Sequence, residues 1–245
     1  MFTTHQVVDL AFGSPRRAEL RLGLLYRLRV LDRFRVLVPQ GSSPFHWVLG
    51  EAGAALVAAE RGLRPTHRLW RRQELMALAA TQHLGHLVGT NGFFTALVRA
   101  SRHRPGCELA DWWSEGRCAS EWGGLAHPDG YGVWMEDGDE LPFLLEYDNG
   151  TETLARLAAK LAGYAELSLA SGSSTWVVFV FPSVSREANA RQVLKHPSVP
   201  VATAVVPRGQ SPDAALWLPL GAQRGRRRLV ELGHPPSAMG LTNTS

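Results

Sequence analysis

The chain has 245 residues, a hydrophobic share of 45% and a formal net charge of +4 at pH 7. This length suits one large domain or two small ones, and no run of about eighteen apolar residues is present, which argues against a membrane span. The first ten residues, MFTTHQVVDL, lack the basic and apolar segments of a secretory signal, so a cytoplasmic protein is expected. Cys107 and Cys118 have no partners at zinc-ligand spacing, which indicates reduced thiols rather than a disulfide framework.

The small net charge conceals an acidic block between two basic ones. Residues 1–75 hold 12 Lys/Arg and 6 Asp/Glu, residues 106–170 hold 3 and 13, and residues 171–245 hold 8 and 3. Basic blocks favour polyanionic partners, because bound lysine and arginine release the counterions of phosphates. The acidic block indicates a solvated face, a partner surface or a cation site. Arginine outnumbers lysine 24 to 2, which is typical of a GC-rich bacterial genome.

The N-terminal region predicts a short helix followed by a basic helix. The first helix is expected over Thr4–Ala11, and Ser14-Pro15 opens the second with an N-cap and a proline at its first position. Leucines at helical spacing predict one apolar stripe on the second helix: Leu20, Leu24, Leu28 and Leu31. Four arginines largely fall off that stripe and predict an exposed cationic side: Arg16, Arg17, Arg21 and Arg27.

A hairpin and a third helix complete this region. The β-branched and aromatic runs FRVLV and FHWVL flank the turn-rich PQGSSP, and EAGAALVAAERG predicts the helix. This order is typical of a winged helix-turn-helix, in which the second helix enters the major groove of double-stranded DNA. The alternative is a small α/β module that uses the same elements for dimerisation or protein contact. The winged domain is expected over residues 1–66, with a boundary near residues 64–75.

Residues 67–232 predict a helical bridge and then a mixed sheet flanked by helices. The bridge is expected to break at GTNG, residues 89–92. Strands are expected around Leu109–Glu115, over Tyr131–Met135 and Pro142–Tyr147 as a hairpin, and in STWVVFVFPS and VPVATAVV. TETLARLAAKLAGYAELSLA, opened by Thr151, and REANARQVLK predict helices. The predicted fold class is α/β in the α+β sense, and residues 233–245 predict a disordered tail.

Two carboxylates are the candidate metal ligands. Asp129 begins one arm of the predicted hairpin and Glu146 lies in the other, so strand pairing can bring them together. Converging carboxylates repel each other unless a cation or a proton lies between them, and Mg²⁺ prefers oxygen ligands of this kind. Asp148 and Glu152 also have local explanations, as a turn residue and as a residue at a helix start.

The ordered motifs resemble known families. Pro128-Asp129 followed by Glu146-Tyr147-Asp148 is similar to the PD-(D/E)xK nuclease fold. More narrowly, the chain from about residue 3 to about residue 232 resembles the replication-relaxation family of actinobacterial plasmids and integrative elements. The motifs that carry this likeness are GSPRRAELRLGLLYRLRVLDRFR, WWSEGRC, PDGYG, FLLEYDNGTE, RLAAKLAGY and VPVATA. It implies a winged-helix domain joined to a restriction-endonuclease-like domain, and a further helix before Thr3.

On that resemblance, Asp129 and Glu146 match the metal-binding acids, with Mg²⁺ as the cofactor and Mn²⁺ as a substitute. Asp148 stands where the nuclease fold usually has its lysine, and Lys160 on the next helix is the candidate replacement. An active site would hydrolyse phosphodiesters, with Lys160 orienting a metal-bound water or stabilising the developing charge. Three further acids are candidates for supporting roles: Glu115, Asp148 and Glu152.

Three functions remain as alternatives. The first is a DNA-binding protein of a mobile element that nicks or cleaves DNA with Mg²⁺. The second is a non-catalytic adaptor whose acidic domain recruits a plasmid replication or transfer protein. The third is a transcriptional regulator whose C-terminal domain serves oligomerisation. A pocket shared by Asp129, Glu146 and Lys160 favours the first function, and a solvent-facing Lys160 favours the second.

Overall fold

The computed structural model describes residues 1–37, 41–62, 83–195, 197–222 and 225–234. The chain divides into two compact units, Met1–Arg99 and Ala100–Ser245. The domain boundary expected near residues 64–75 lies within residues 63–82, which are outside the described residues. Most of the predicted tail, residues 233–245, also lies outside them.

The first unit contains a three-stranded antiparallel sheet with the strand order β1-β3-β2. Thr3 and Gln6 form a capping box at the start of the first helix, and Ser14 caps the second. The elements are β1 (Phe2–Thr3), α1 (Thr4–Ala11), α2 (Pro15–Arg27), β2 (Leu31–Phe34), β3 (His46–Leu49) and α3 (Glu51–Glu60). The predicted order of two helices, hairpin and helix is present, with the first arm of the hairpin three residues earlier than expected.

The predicted apolar stripe of α2 is not the side that the fold buries. Ala18 and Leu22 are buried and pack with Trp47 of β3. The small Ala18 side chain allows the helix and sheet to approach closely, so the sheet selects this face over the leucine-rich one. Of the predicted stripe, Leu20 is 69% exposed, Leu24 38% and Leu28, at the C-cap of α2, 58%, whereas Leu31 is half-buried and belongs to β2.

Helix α4 (His83–His103) runs without a break through residues 89–92, so the predicted interruption is wrong. Contacts from the chain's N-terminus hold this stretch. The Gln6 Nε2 atom donates a hydrogen bond to the Val88 carbonyl at 2.7 Å, and Asn91 Nδ2 donates to the Met1 carbonyl at 2.8 Å. Tertiary packing therefore outweighs the low helix propensity of the two glycines.

The second unit contains a six-stranded mixed sheet with the strand order β4-β5-β6-β7-β8-β9, which confirms the predicted fold class. Antiparallel pairing joins β4 to β6 in sequence, β7 and β8 continue parallel to β6, and β9 is antiparallel to β8. The strands are β4 (Cys107–Ser114), β5 (Gly130–Glu136), β6 (Asp139–Tyr147), β7 (Trp176–Val180), β8 (Val201–Ala204) and β9 (Leu218–Pro219). The helices are α5 (Glu115–Trp122), α6 (Leu154–Ser171), α7 (Val184–Val193) and a 3₁₀ helix (Val230–Gly233).

Helix α6 covers the sheet face that carries Leu144, Val177 and Phe179. Its buried residues are Leu157, Leu161 and Tyr164. The helix is capped by Thr153, two residues after the predicted start, and it ends at Gly172, whose φ of +65° is the left-handed conformation typical of a helix terminus. Because β6, α6 and β7 form a parallel crossover, the start of α6 lies near the end of β6.

Both cysteines are buried and unpaired, as expected from the sequence. Among the described helices, none combines the length and apolar character that a bilayer crossing requires.

We expect Gly163→Ala to destabilise the second unit, although alanine is the better helix former by about 1 kcal/mol. A Cβ at position 163 would lie 2.4 Å from the Leu125 carbonyl oxygen, so α6 would have to move away from the 123–126 segment. Urea denaturation measures the change. The control is Gly116→Ala in α5, where an added Cβ meets nothing within 4 Å. A Gly163→Ala protein as stable as the Gly116→Ala protein would contradict this account.

Candidate active site

Asp129 and Glu146 lie close to each other just beyond the β5–β6 ladder. The last pair of the ladder is Gly130 with Leu145, and Asp129 and Glu146 are the next residue on each side. The charge of Asp129 acts directly on the Glu146 carboxylate. The Asp129 N–H donates to the Leu145 carbonyl at 3.0 Å, and Asp129 Oδ2 accepts from the Tyr147 N–H at 2.7 Å. The two acids singled out from the sequence therefore lie together at the end of β6.

Two side chains of α6 reach Glu146 from above this face. Lys160 Nζ lies 2.7 Å from Glu146 Oε2, and the Tyr164 hydroxyl donates a hydrogen bond to Glu146 Oε1. Lys160 and Tyr164 are one helical turn apart, so both project toward the same point. The buried residues Leu157 and Leu161 fix the rotation of the helix that allows this. We call Asp129, Glu146, Lys160 and Tyr164 the carboxylate cluster.

The carboxylate cluster carries more negative charge than its single ammonium group compensates. Glu146 is 1% exposed and Asp129 8% exposed. Burial and the neighbouring Asp129 carboxylate together raise the pKa of Glu146 to about 7, although Lys160 and Tyr164 act in the opposite direction. Glu146 therefore exchanges its proton near neutral pH.

The other two members of the cluster keep their protons. Burial alone lowers the pKa of Lys160, but the carboxylates of Glu146, Asp129 and Glu152 outweigh it, and the net shift is upward. Burial, followed by the charge of Glu146, raises the pKa of Tyr164. At neutral pH the cluster thus has a cationic lysine and a neutral phenol that both donate to one carboxylate.

Asp148 serves as an anchor for α7. Arg186 holds both of its oxygens, with Nε 2.7 Å from Oδ2 and Nη2 3.2 Å from Oδ1. The Gly150 N–H also donates to Asp148 Oδ1 at 2.8 Å, which closes the turn after β6. The local explanation given by the sequence, a turn residue, describes Asp148 well.

Glu152 extends the cluster, and Glu115 takes a different position from the one expected. Glu152 Oε1 lies 2.9 Å from Arg156 Nε, and Oε2 lies 3.7 Å from Lys160 Nζ. It therefore steadies the lysine from the side opposite Glu146. Glu115 is the exposed first residue of α5 rather than the last residue of β4, and there it favours the helix dipole.

Sequence reasoning missed Tyr164 and Arg186. Tyr164 follows Lys160 by four residues and continues the apolar stripe of α6, so its spacing was the available signal. Arg186 had no such signal, because its contact with Asp148 depends on how β6 and α7 meet.

Mg²⁺ commonly binds to proteins through one or two carboxylates, with water completing its octahedral shell, and the cluster offers the carboxylates of Asp129 and Glu146. A divalent cation would compensate the excess negative charge that raises the pKa of Glu146. In the described parts of the chain, no group of three or more His, Cys, Asp and Glu side chains could hold a metal. The remaining ligands would therefore be water or substrate oxygens.

Helix α2 carries a basic surface in the first unit. The four arginines named from the sequence are exposed on this helix: Arg16, Arg17, Arg21 and Arg27. The hairpin adds two arginines that the sequence analysis did not single out. The guanidinium carbons of Arg33 and Arg35 lie 3.9 Å and 3.7 Å from the centre of the Phe45 ring.

Comparison with known proteins gives one family. The replication-relaxation family model matches residues 1–194, and the chain belongs to that family. The matched range contains the whole carboxylate cluster and ends just after α7. No curated protein matches the chain.

We expect Glu146→Gln to remove a pH dependence of stability. A folded-state pKa of about 7, above the ordinary 4.5, means that ionised Glu146 opposes folding. Its contribution to stability is complete below pH 4.5 and is lost as the pH rises through 7. Between pH 5 and 8, the free energy of unfolding of the wild type should fall relative to that of the variant, by up to about 3 kcal/mol.

Chemical denaturation at several pH values measures this difference. Glu166→Gln, on the same helix, serves as the control and should leave the pH dependence unchanged. Parallel stability curves for the wild type and Glu146→Gln would show that Glu146 does not titrate in this range.

Proposed function

We propose that this member of the replication-relaxation family binds double-stranded DNA of plasmids or integrative elements and nicks or cleaves it in a Mg²⁺-dependent reaction. Membership of the family indicates a role in the replication and relaxation of mobile elements. One observation carries the hydrolytic part of the proposal. Asp129, Glu146 and Lys160, which come from three different elements, meet in one buried cluster.

In this proposal Asp129 and Glu146 hold Mg²⁺, which when bound lowers the pKa of a water ligand and polarises a phosphoryl oxygen. Lys160 places a fixed positive charge beside the phosphate and stabilises the additional negative charge of the transition state. Tyr164 fixes the Glu146 side chain, and Glu152 fixes Lys160. Since only ionised Glu146 binds a cation well, cation affinity should increase as the pH rises through 7.

DNA binding is proposed for the first unit. Helix α2 carries Arg16, Arg17, Arg21 and Arg27 on its exposed surface, and within the described residues none of the four pairs with an acid. Their charge is thus free to neutralise phosphates. The order of α1, α2 and the β2–β3 hairpin supports a winged-helix arrangement, with α2 in the major groove.

A second candidate function is the non-catalytic adaptor. Both oxygens of Glu146 already accept hydrogen bonds, and the residue is almost fully buried. Lys160 then takes the place of a metal, and the acidic second unit recruits a replication or transfer protein. The two functions differ in whether a divalent cation changes what happens to bound DNA.

We expect the wild type to convert supercoiled plasmid to open circles in the presence of Mg²⁺ or Mn²⁺, and not in EDTA. Asp129→Asn and Lys160→Met should each abolish the conversion, because they remove a ligand charge and the stabilising cation. Agarose electrophoresis measures the product. Glu166→Gln, an exposed position on the same helix, is the matched control and should cleave normally.

Cleavage that survives in both variants would exclude the carboxylate cluster as its source. Binding of the plasmid without cleavage under any metal condition would leave the adaptor as the function.

We expect the affinity for DNA to fall as the salt concentration rises. Each single Arg→Gln change at positions 16, 17, 21 and 27 should make the negative slope of log K against log salt shallower by about 0.9. Each lost phosphate contact lowers the number of counterions that are released when the protein binds DNA. Fluorescence anisotropy with a labelled duplex gives the slope. Arg208→Gln, an exposed residue of the second unit, should leave it unchanged. An affinity that does not depend on salt would contradict phosphate neutralisation.

A further inference from the structure

Among the described residues of the first unit, the exposed leucines of α2 belong to none of its hydrophobic clusters. Leu20, Leu24 and Leu28 follow each other at intervals of four residues and form one line along the helix surface. Ala18 and Leu22 already attach the opposite side of the helix to Trp47. A line of large apolar side chains in water is unfavourable unless a partner covers it.

The arginines lie on the same exposed face as the leucines. At 3.6 residues per turn, Arg21 falls on one side of the leucine line, Arg16 and Arg27 fall on the other, and Arg17 lies close to the line itself. Glu19, the acid of this helix, falls outside the face. The surface is therefore apolar along its centre and cationic along both edges.

We infer that this face reads DNA in the major groove, with the leucines against the C5 methyl groups of thymine. The groove admits one α-helix, and thymine displays its methyl group on the groove floor, where apolar side chains contact it. Phosphates border the floor on both sides. The order of anion, methyl group and anion across the groove matches the order of arginine, leucine and arginine across the helix.

The inference deepens the DNA binding proposed above and rests on it. The three leucines span about 12 Å along the helix axis, at 1.5 Å per residue, so a helix that lies along the groove would present them to about three or four successive base pairs. Contact with a methyl group gives a preference for thymine that arginine contacts with phosphates cannot give. The chemical group recognised is thus the thymine methyl in an A·T-containing site.

A second copy of the chain fits this face less well than DNA. If two α2 helices packed antiparallel around Leu24, Arg21 of both copies would lie along one edge of the interface and Arg27 of both copies along the other. Like charges brought together in this way cost interaction energy, whereas phosphates on both edges of the face gain it. Charge complementarity therefore selects a polyanion.

The test compares two duplex polymers that differ only in the C5 methyl group, poly(dA-dT) and poly(dA-dU). We expect the full-length wild type to bind the thymine polymer more tightly at one fixed salt concentration, by about fourfold for each methyl group that is buried. Leu20→Ser and Leu24→Ser should reduce this ratio toward one. Because both leucines are exposed, these substitutions should not unfold the protein, and circular dichroism verifies that the variants keep their helical content.

Two controls separate the contributions. Leu169→Ser, at an equally exposed leucine of α6, should keep the thymine preference. Arg21→Gln should weaken binding of both polymers by the same factor.

Three results would overturn the inference. Equal, salt-dependent affinity of the wild type for both polymers would remove the methyl contact and leave the proposed DNA binding intact. Failure to bind either polymer at low salt would remove both. If sedimentation gave a lower molar mass for Leu20→Ser than for the wild type, while the thymine preference stayed unchanged, the leucine line would be a contact with a second copy of the chain.

Discussion

The proximity of Asp129 and Glu146 is the constraint on which the second unit depends. The end of the β5–β6 ladder brings two buried carboxylates close together, and the Lys160 ammonium group lies 2.7 Å from one of them, Glu146. Helix α6 must therefore be held at one rotation and one distance. Gly163, next to Tyr164, allows the helix to approach the Leu125 carbonyl, in the segment that leads into Asp129. A site with close carboxylates is costly to build, and this one lies at the end of β6 beneath helix α6.

Most of the other buried acids among the described residues pair with arginine instead of lysine. Glu187 pairs with Arg226 at 2.7 Å, and Glu136 contacts both Arg104 and Arg228. Arginine forms rigid, planar pairs that suit anchoring, whereas lysine is a compact point charge on a flexible stem. In a sequence with 24 Arg and 2 Lys, a lysine stands beside Glu146, the acid whose pKa is raised to about 7. Arg226 and Arg228 are both engaged in these anchoring pairs.

The carboxylate cluster was predictable where local spacing determines it. A hairpin brings Asp129 toward Glu146 whatever surrounds it, and the start of the next helix limits where Lys160 can go. The side of α2 that becomes buried was not predictable, because this helix has apolar residues on two sides and the sheet decides between them. The continuity of α4 was missed for a similar reason, since Gln6 and Asn91 support the glycine-containing stretch through contacts that are distant in sequence. Residue spacing identifies the faces that a helix or strand could bury, and only packing against other elements determines which face is buried.

Under the proposed function, the charge distribution separates the basic region that would bind DNA from the acidic region that would hydrolyse it. Residues 106–170 hold 3 Lys/Arg and 13 Asp/Glu, so the region around the carboxylate cluster repels phosphate. A substrate phosphate can approach such a site only if binding energy is supplied elsewhere and the local charge is neutralised. The arginines of α2 can supply the first, because their charge is not consumed by acids among the described residues. A divalent cation at Asp129 and Glu146 would supply the second. Under the proposed function, the basic and acidic parts of the sequence are complementary requirements of one activity, in which a metal would matter for hydrolysis and contribute little to the affinity for DNA.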